Sequence, residues 1–395
     1  MGHDELDVGG VGSSGAEELT SGPSRGHGPR RPAMILLAVA ALIAVAVIVH
    51  GGGSKRRPLA SPPPPAAASA APAPPHGPAR AAPPLTSRVK LPLLGVTAGW
   101  ELYGRGPTDV VRIQFARGVV TRTTVPALGS SGPVSFGVGP QGALIRPLDF
   151  VSGYLVPDGH FARPLPVTES HGGQLVPGPR RGQFWVQDAT HSRLTVSLID
   201  RNGEPTGVGL RLPFSQFSLA SDGSGYPLVI TRKGGYDARP GRLRRISGNV
   251  QAVGRAGLLT LRCDRRSRCE NVLIDPRDGS RSALRHEVDS DTGEPIGVIA
   301  ADGRFAAVPN PISDGAGTVR LVNLATGEGH TLRMALPDQD FDTELAFSPD
   351  SRWLFVATAN GKLDVVRTST GRIRSLRVSL PPVTQLVIRP ADQKG

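Results

Sequence analysis

The sequence predicts an all-β protein: a β-propeller of seven four-stranded blades, preceded by a single transmembrane helix and a Pro/Ala-rich linker. Three observations predict it. Paired hairpins recur at intervals of about 40–45 residues from residue 98 onward. The two ends of that region complement one another as parts of one blade. Ahead of it stand an uninterrupted apolar run and a proline-rich stretch, and neither can share its core.

In chain order, residues 1–32 are rich in Gly, Ser and charge and lack apolar periodicity, which predicts a disordered cytoplasmic tail. Residues 33–49, AMILLAVAALIAVAVIV, form an apolar run at the lower length limit for crossing a bilayer, so 33–50 is read as a transmembrane helix. A cleaved signal peptide is the competing reading. Against it stand the long charged stretch before the run and His50-Gly51-Gly52-Gly53 after it, without a small-x-small cleavage pattern. Flanking charge does not orient the helix, because Arg25, Arg30 and Arg31 precede it and Lys55, Arg56 and Arg57 follow. Residues 51–89 form the linker. Their core, PLASPPPPAAASAAPAPPHGPARAAPPLTS (58–87), favours polyproline II and reaches some 90 Å when fully extended.

Residues 90–393 are the propeller domain. One hairpin template places a Pro/Asp/Gly turn between strands: FGVGPQGALIRPLD (136–149), LVPGPRRGQFWVQD (175–188), FSLASDGSGYPLVIT (217–231), GVIAADGRFAAVPN (297–310) and LAFSPDSRWLFVAT (345–358). A second centres on a glycine, at Gly118, Gly159, Gly203, Gly248, Gly279, Gly327 and Gly371, with intervals of 41, 44, 45, 31, 48 and 44 residues. Such four-stranded units have two apolar faces and bury them by packing around an axis. Seven glycines imply seven blades, and the short interval after Gly248 leaves six open. The chain ends TQLVIRPADQ (384–393), which matches the innermost strand ELAFSPDS (344–351), while residues 99–125 begin at a second strand. The C-terminal strand is therefore expected to complete the first blade and leave no open edge.

FSPDSRWLFVATANGKLDVVRTSTG (347–371) resembles a repeat of the WD-repeat and TolB-like bacterial propellers. No Trp-Asp dipeptide ends a third strand; Val365-Val366-Arg367-Thr368, Leu321-Val322-Asn323-Leu324 and Leu198-Ile199-Asp200-Arg201 stand there instead. The resemblance implies a fold and says little about activity.

The two cysteines, Cys263 and Cys269, flank one turn in LLTLRCDRRSRCENVLID and are expected to form a structural disulfide. A bridge implies an oxidising compartment, which places the propeller outside the cell membrane and the N-terminus in the cytoplasm.

No GxSxG, HExxH, P-loop or strand-linked GxGxxG occurs, so no catalytic or cofactor-binding residue is assigned and no cofactor is expected. His160, His171, His191, His286 and His330 share no motif with a nucleophile or metal partner. Two cysteines without a histidine pair do not make a zinc site. Asp289-Ser290-Asp291-Thr292-Gly293-Glu294 resembles part of a calcium loop, but the ATGE form at 325–328 is a hairpin turn, and no metal is assigned. Asp338, Asp340 and Asp342 lie between blades, where propeller loops face a ligand, and are candidate binding-loop residues. Trp185 and Trp353 occupy equivalent hairpin positions, which favours core packing over a binding platform.

The net charge is +12, with 45 Lys and Arg against 33 Asp and Glu. Arginines alternate with apolar residues and never form a run of five, so nucleic acid is not expected as a partner. These features predict a membrane-tethered extracytoplasmic binding or scaffold module for an envelope protein, peptide or cell-wall polymer. The alternatives are a hydrolase or lyase with a loop-built site at the central channel, and a sensor coupling the propeller to the tail.

Overall fold

Strands dominate because apolar and polar residues alternate between turns, and the alternation changes with distance from the axis. Trp353–Ala357 is buried at every position, whereas Arg372–Ser375, two strands further out in the same sheet, is exposed at every position. Second strands such as Trp353–Ala357 bury both faces and read as apolar runs, whereas outer strands such as Arg372–Ser375 carry charge. The computed structural model describes residues 83–393, interrupted at 90–91, 127–133, 148–152, 166–174, 191–192, 265, 267, 285–295, 311–316 and 337–343, together with Glu5–Leu6.

The result is an all-β propeller. The first sheet runs in the order Gln385–Arg389, Glu101–Arg105, Asp109–Gln114, Val119–Thr124 and Leu85–Arg88. The second comprises Val134–Gly139, Gly142–Pro147, Tyr154–Pro157 and Arg163–Pro164. The third comprises Leu175–Pro177, Phe184–Thr190, Arg193–Ile199 and Pro205–Arg211. The fourth comprises Ser218–Ser221, Pro227–Thr231, Gly234–Arg239 and Arg242–Ser247, with Glu5–Leu6 paired to its outer edge. The last comprises Leu345–Phe347, Trp353–Ala357, Leu363–Arg367 and Arg372–Ser375.

These five sheets stand as separate blades; the expected seven separate blades do not. The remaining strands form one eight-stranded sheet. Its halves run from Asn249 to Ala283 and from Gly297 to Leu332. They join because the inner strands Asn249–Gly254 and Gly297–Ile299 pair in parallel, Ala252 with Gly297 and Val253 with Val298. Gly254 permits this approach, since a Cβ there would lie 2.6 Å from the carbonyl oxygen of Ile299.

The predicted closure is present. Gln385–Arg389 pairs antiparallel with Glu101–Arg105, Arg389 opposite Glu101 and Gln385 opposite Arg105. Aromatic packing seals the seam with the last sheet: ring centroids of Trp100 and Phe115 lie 4.5 Å apart, and those of Phe115 and Phe355 lie 5.3 Å apart. The core is divided into clusters, each shared by successive groups of strands. Tyr103 meets Phe136, Leu144 meets Phe184, Trp185 meets Val229, and Leu228 meets Val250. Leu259 meets Val322, Leu321 meets Leu354, and Phe355 returns to Leu102.

Three sequence expectations are corrected. The glycine turn of the fourth sheet is Gly241 (φ +75°), not Gly248, which links Arg242–Ser247 to Asn249–Gly254. The glycines then fall at 118, 159, 203, 241, 279, 327 and 371, all with positive φ, and the 31-residue interval disappears. Residues 249–263, whose turn is Arg255-Ala256, form a first-template hairpin that the sequence reading missed. Leu85–Arg88, assigned to the linker, pairs with Val119–Arg122. The run at 33–49 lies outside the described residues; among those described, no helix is long and apolar enough to cross a membrane.

Candidate functional site

A groove of about 690 Å³ opens between the fourth sheet and the Asn249 half of the eight-stranded sheet. Outer strand Arg242–Ser247 forms one wall, and Gly257–Cys263, Cys269–Ile274 and Arg281 form the other. Strand geometry explains the chemistry of that first wall. Leu243 turns toward the third sheet and joins its core, so Arg242 and Arg244 turn the opposite way, and a register irregularity at Ile246 interrupts the alternation beyond Arg245. Five arginines line the groove, Arg242, Arg244, Arg245, Arg262 and Arg281, and no acidic residue does among those described. Ile246, Val272 and Ile274 supply apolar wall.

Nearby acids neutralise part of this charge. Arg244 Nη2 lies 3.7 Å from Asp237 and donates to the Pro276 carbonyl at 3.2 Å, while its Nε is buried without a partner. Arg262 stands 4.0 Å from Glu270, both well exposed. Arg245 donates to the Lys233 carbonyl at 2.8 Å. No carboxylate among the described residues pairs with Arg245 or Arg281.

Cys263 lines the groove, and the predicted bridge to Cys269 is present, with Cα atoms 3.9 Å apart. The bridge closes the last pair of the hairpin register. Asp264 organises the loop beyond it by accepting the backbone N–H groups of Arg268 at 3.0 Å and Arg266 at 2.8 Å. These bonds, that from Arg268 foremost, hold the Asp264 carboxyl below the usual carboxylate range.

A second groove, about 680 Å³, lies between the last sheet, the turn at Asp302 and residues 94–98. It mixes Arg304, Arg352, Arg367 and Arg374 with Asp302 and Asp350, and Arg374 stands 5.9 Å over the Trp353 ring.

A buried ion cluster ties the first sheet to the second. Glu101 is fully buried and accepts from Arg112 at 2.8 and 3.0 Å, from Gln114 at 2.7 Å and from Arg389. Arg389 also donates to Asp158 at 2.5 Å and to the carbonyls of Gly139 and Pro140. Tyr103 donates to Asp158 at 2.5 Å. Burial, then the Asp158 charge, pushes its phenol far above the usual range, so Tyr103 remains a donor. Burial alone would lower the Arg389 pKa, but Asp158 and Glu101 outweigh it and raise it. Two cations face two carboxylates here, all mutually satisfied, which marks structural closure rather than chemistry. Arg105 differs. It is buried, its guanidinium donates to Gln385 and has no carboxylate partner among the described residues, and burial draws its pKa down to about 10.

Of the residues singled out in the sequence, Cys263 and Cys269 join as expected. Asp338, Asp340 and Asp342 lie outside the described residues, as do His171, His191, His286 and the 289–294 segment. His160 and His330 are exposed and far apart in the ring order. Trp185 and Trp353 are core residues; the Trp185 Nε1–H donates to Gly225 O at 2.9 Å. The groove arginines were visible in RLRR and RCDRRSR, but only the adjacency of two sheets makes them one surface. Glu101 and Arg389, 288 residues apart, carried no local signal.

No family model matches the chain, and no curated protein does. Among solved structures it is similar to TolB from Acinetobacter baumannii: 15% identity, TM-score 0.43, covering 74% of this chain and 66% of that one. It is also similar to a putative 6-phosphogluconolactonase from Bacteroides uniformis (11% identity, TM-score 0.48, 74% of this chain and all of that one). An oligogalacturonate lyase in complex with manganese shows 14% identity and a TM-score of 0.46 over 68% of this chain and 85% of that one. The similarities reach no further than the propeller fold.

Proposed function

We propose that this chain is a membrane-tethered, extracytoplasmic, non-catalytic binding module whose ligand is a component of the cell envelope. The observation that carries the reading is the arginine-lined groove between the fourth sheet and its neighbour, a surface built to hold an anion rather than to cleave a bond. The disulfide supports an oxidising compartment, and the apolar run at 33–49 with its proline-rich spacer supports tethering at a distance. We read the eight-stranded sheet as two four-stranded blades joined at their inner strands, giving a ring of seven. The seven positive-φ turn glycines support that count.

Two measurements test the reading. Protease added to spheroplasts should degrade a C-terminal epitope and spare an N-terminal one. In that topology the bilayer separates Glu5–Leu6 from Leu243–Arg244, so their edge pairing is lost in the cell. Loss or survival of both epitopes together overturns the topology. Full-length protein incubated with isolated envelope polymer should sediment with it and leave it intact. Release of polymer fragments, or no co-sedimentation, overturns the binding function.

A further inference from the structure

We infer that the groove between Arg242–Ser247 and the disulfide-closed hairpin binds a linear, phosphate-bearing polymer that has no nucleobases. The inference rests on the binding-module reading and names its ligand class. Charge comes first. Of the five arginines, Arg244 stands near Asp237 and Arg262 near Glu270, and Arg245 and Arg281 keep no carboxylate among the described residues. Guanidinium forks match phosphate oxygens in bidentate fashion, and a phosphate offers more acceptor oxygens per charged centre than a carboxylate. The buried, unpartnered Nε of Arg244 is a further donor waiting for an acceptor.

Shape comes second. The wall is an extended strand, so Arg242 and Arg244 present cations on one face about 6.8 Å apart along it. The groove, about 690 Å³, is lined by residues 242 and 244–248 of that strand and the turn after it. A chain with a repeating anion fits this arrangement better than a compact metabolite. Nucleic acid is disfavoured by what is missing from the lining: aliphatic Ile246, Val272 and Ile274 flank the arginines, and no aromatic residue among those described offers a stacking platform. The Cys263–Cys269 bridge holds the far wall.

The test titrates the full chain, in detergent, with short-chain inorganic polyphosphate. Parallel titrations use poly-L-glutamate and an oligothymidylate of equal charge. The two arginines without a carboxylate, Arg245 and Arg281, give an expected slope of log K against log salt of about −2, hence roughly 12-fold weaker binding from 50 to 200 mM salt. The exposed pair R245Q/R281Q should weaken polyphosphate binding at least about tenfold while leaving the melting temperature unchanged. A control, R163Q/R377Q, removes the same charge from exposed sites elsewhere and should change binding less than about twofold. Equal weakening by both double variants would mean a diffuse charge effect and overturn the site. Polyglutamate binding as tightly as polyphosphate overturns the phosphate assignment, and tighter binding of oligothymidylate overturns the exclusion of nucleic acid. None of these results bears on whether envelope polymer is cleaved, so the two readings fail separately.

Discussion

Replacing Glu101 with glutamine tests how the ring is held shut. Glu101 is fully buried, and Arg389, which bonds it from the C-terminal strand, is 1% exposed. The cluster balances Arg112 and Arg389 against Glu101 and Asp158. The isosteric E101Q leaves one excess cation and turns an N–H toward donors that need an acceptor. Breaking a buried, hydrogen-bonded pair on one side costs about 3–5 kcal/mol. Arg112 and Asp158 retain 18% and 27% exposure, so solvent screens part of the loss. About 3 kcal/mol is expected, or roughly 6 °C in melting temperature for a domain of this size. Urea and thermal unfolding of the full chain, followed by circular dichroism, read it. The double variant E101Q/R389M restores balance between Arg112 and Asp158 and should cost at least about 1 kcal/mol less than the sum of the singles. A single variant within about 1 kcal/mol of the parent, or strictly additive changes, refutes the clamp.

Three further outcomes are expected. R105M should stabilise the protein by about 1–3 kcal/mol at neutral pH, since it removes a buried cation whose side chain, among the described residues, bonds only the Gln385 amide; a loss in urea denaturation would reveal an anionic partner. Burial raises the pKa of Asp364, against a smaller opposing effect of Lys362. The folded state therefore holds its proton more tightly than the unfolded state, and stability falls as pH rises from the ordinary carboxylate value through the raised one. D364N should melt higher than the parent above that window and equally below it, in a melting series across acidic pH. C263S/C269S should cost about 2 kcal/mol, the loop entropy of a six-residue closure, in denaturant titrations; a change below about 0.5 kcal/mol would mean that the hairpin needs no bridge.

Much of the architecture was legible because it is local. Alternation, turn chemistry and the match of 384–393 to 344–351 place strands and even the closing strand. The misassigned glycine shows where locality fails. Gly241 and Gly248 flank the same six-residue strand, RLRRIS, and alternation reads alike from either end. Only backbone conformation separates them: Gly241 turns the chain at φ +75°, whereas Gly248 is not among the positive-φ glycines. The fused inner strands were illegible for a different reason. Parallel pairing of Ala252 with Gly297 joins residues 45 apart, with no turn to announce it.

The groove extends this point to function. Spread arginines in the sequence read as solvent faces of strands, and for most of them that is correct, since outer strands such as Arg372–Ser375 are exposed throughout. Arg242 and Arg244 obey the same rule within their own strand. What changes their meaning is the neighbouring sheet, which stands Arg262 and Arg281 opposite them and confines solvent between. A cation facing bulk water gains little from an anion there, because counterions and solvent screen the pair. The same cation sharing a groove with four others is poorly served by solvent and strongly served by a multivalent anion. The binding claim therefore depends on where the propeller sets one outer strand against the next, and R245Q/R281Q against R163Q/R377Q separates that placement from net charge.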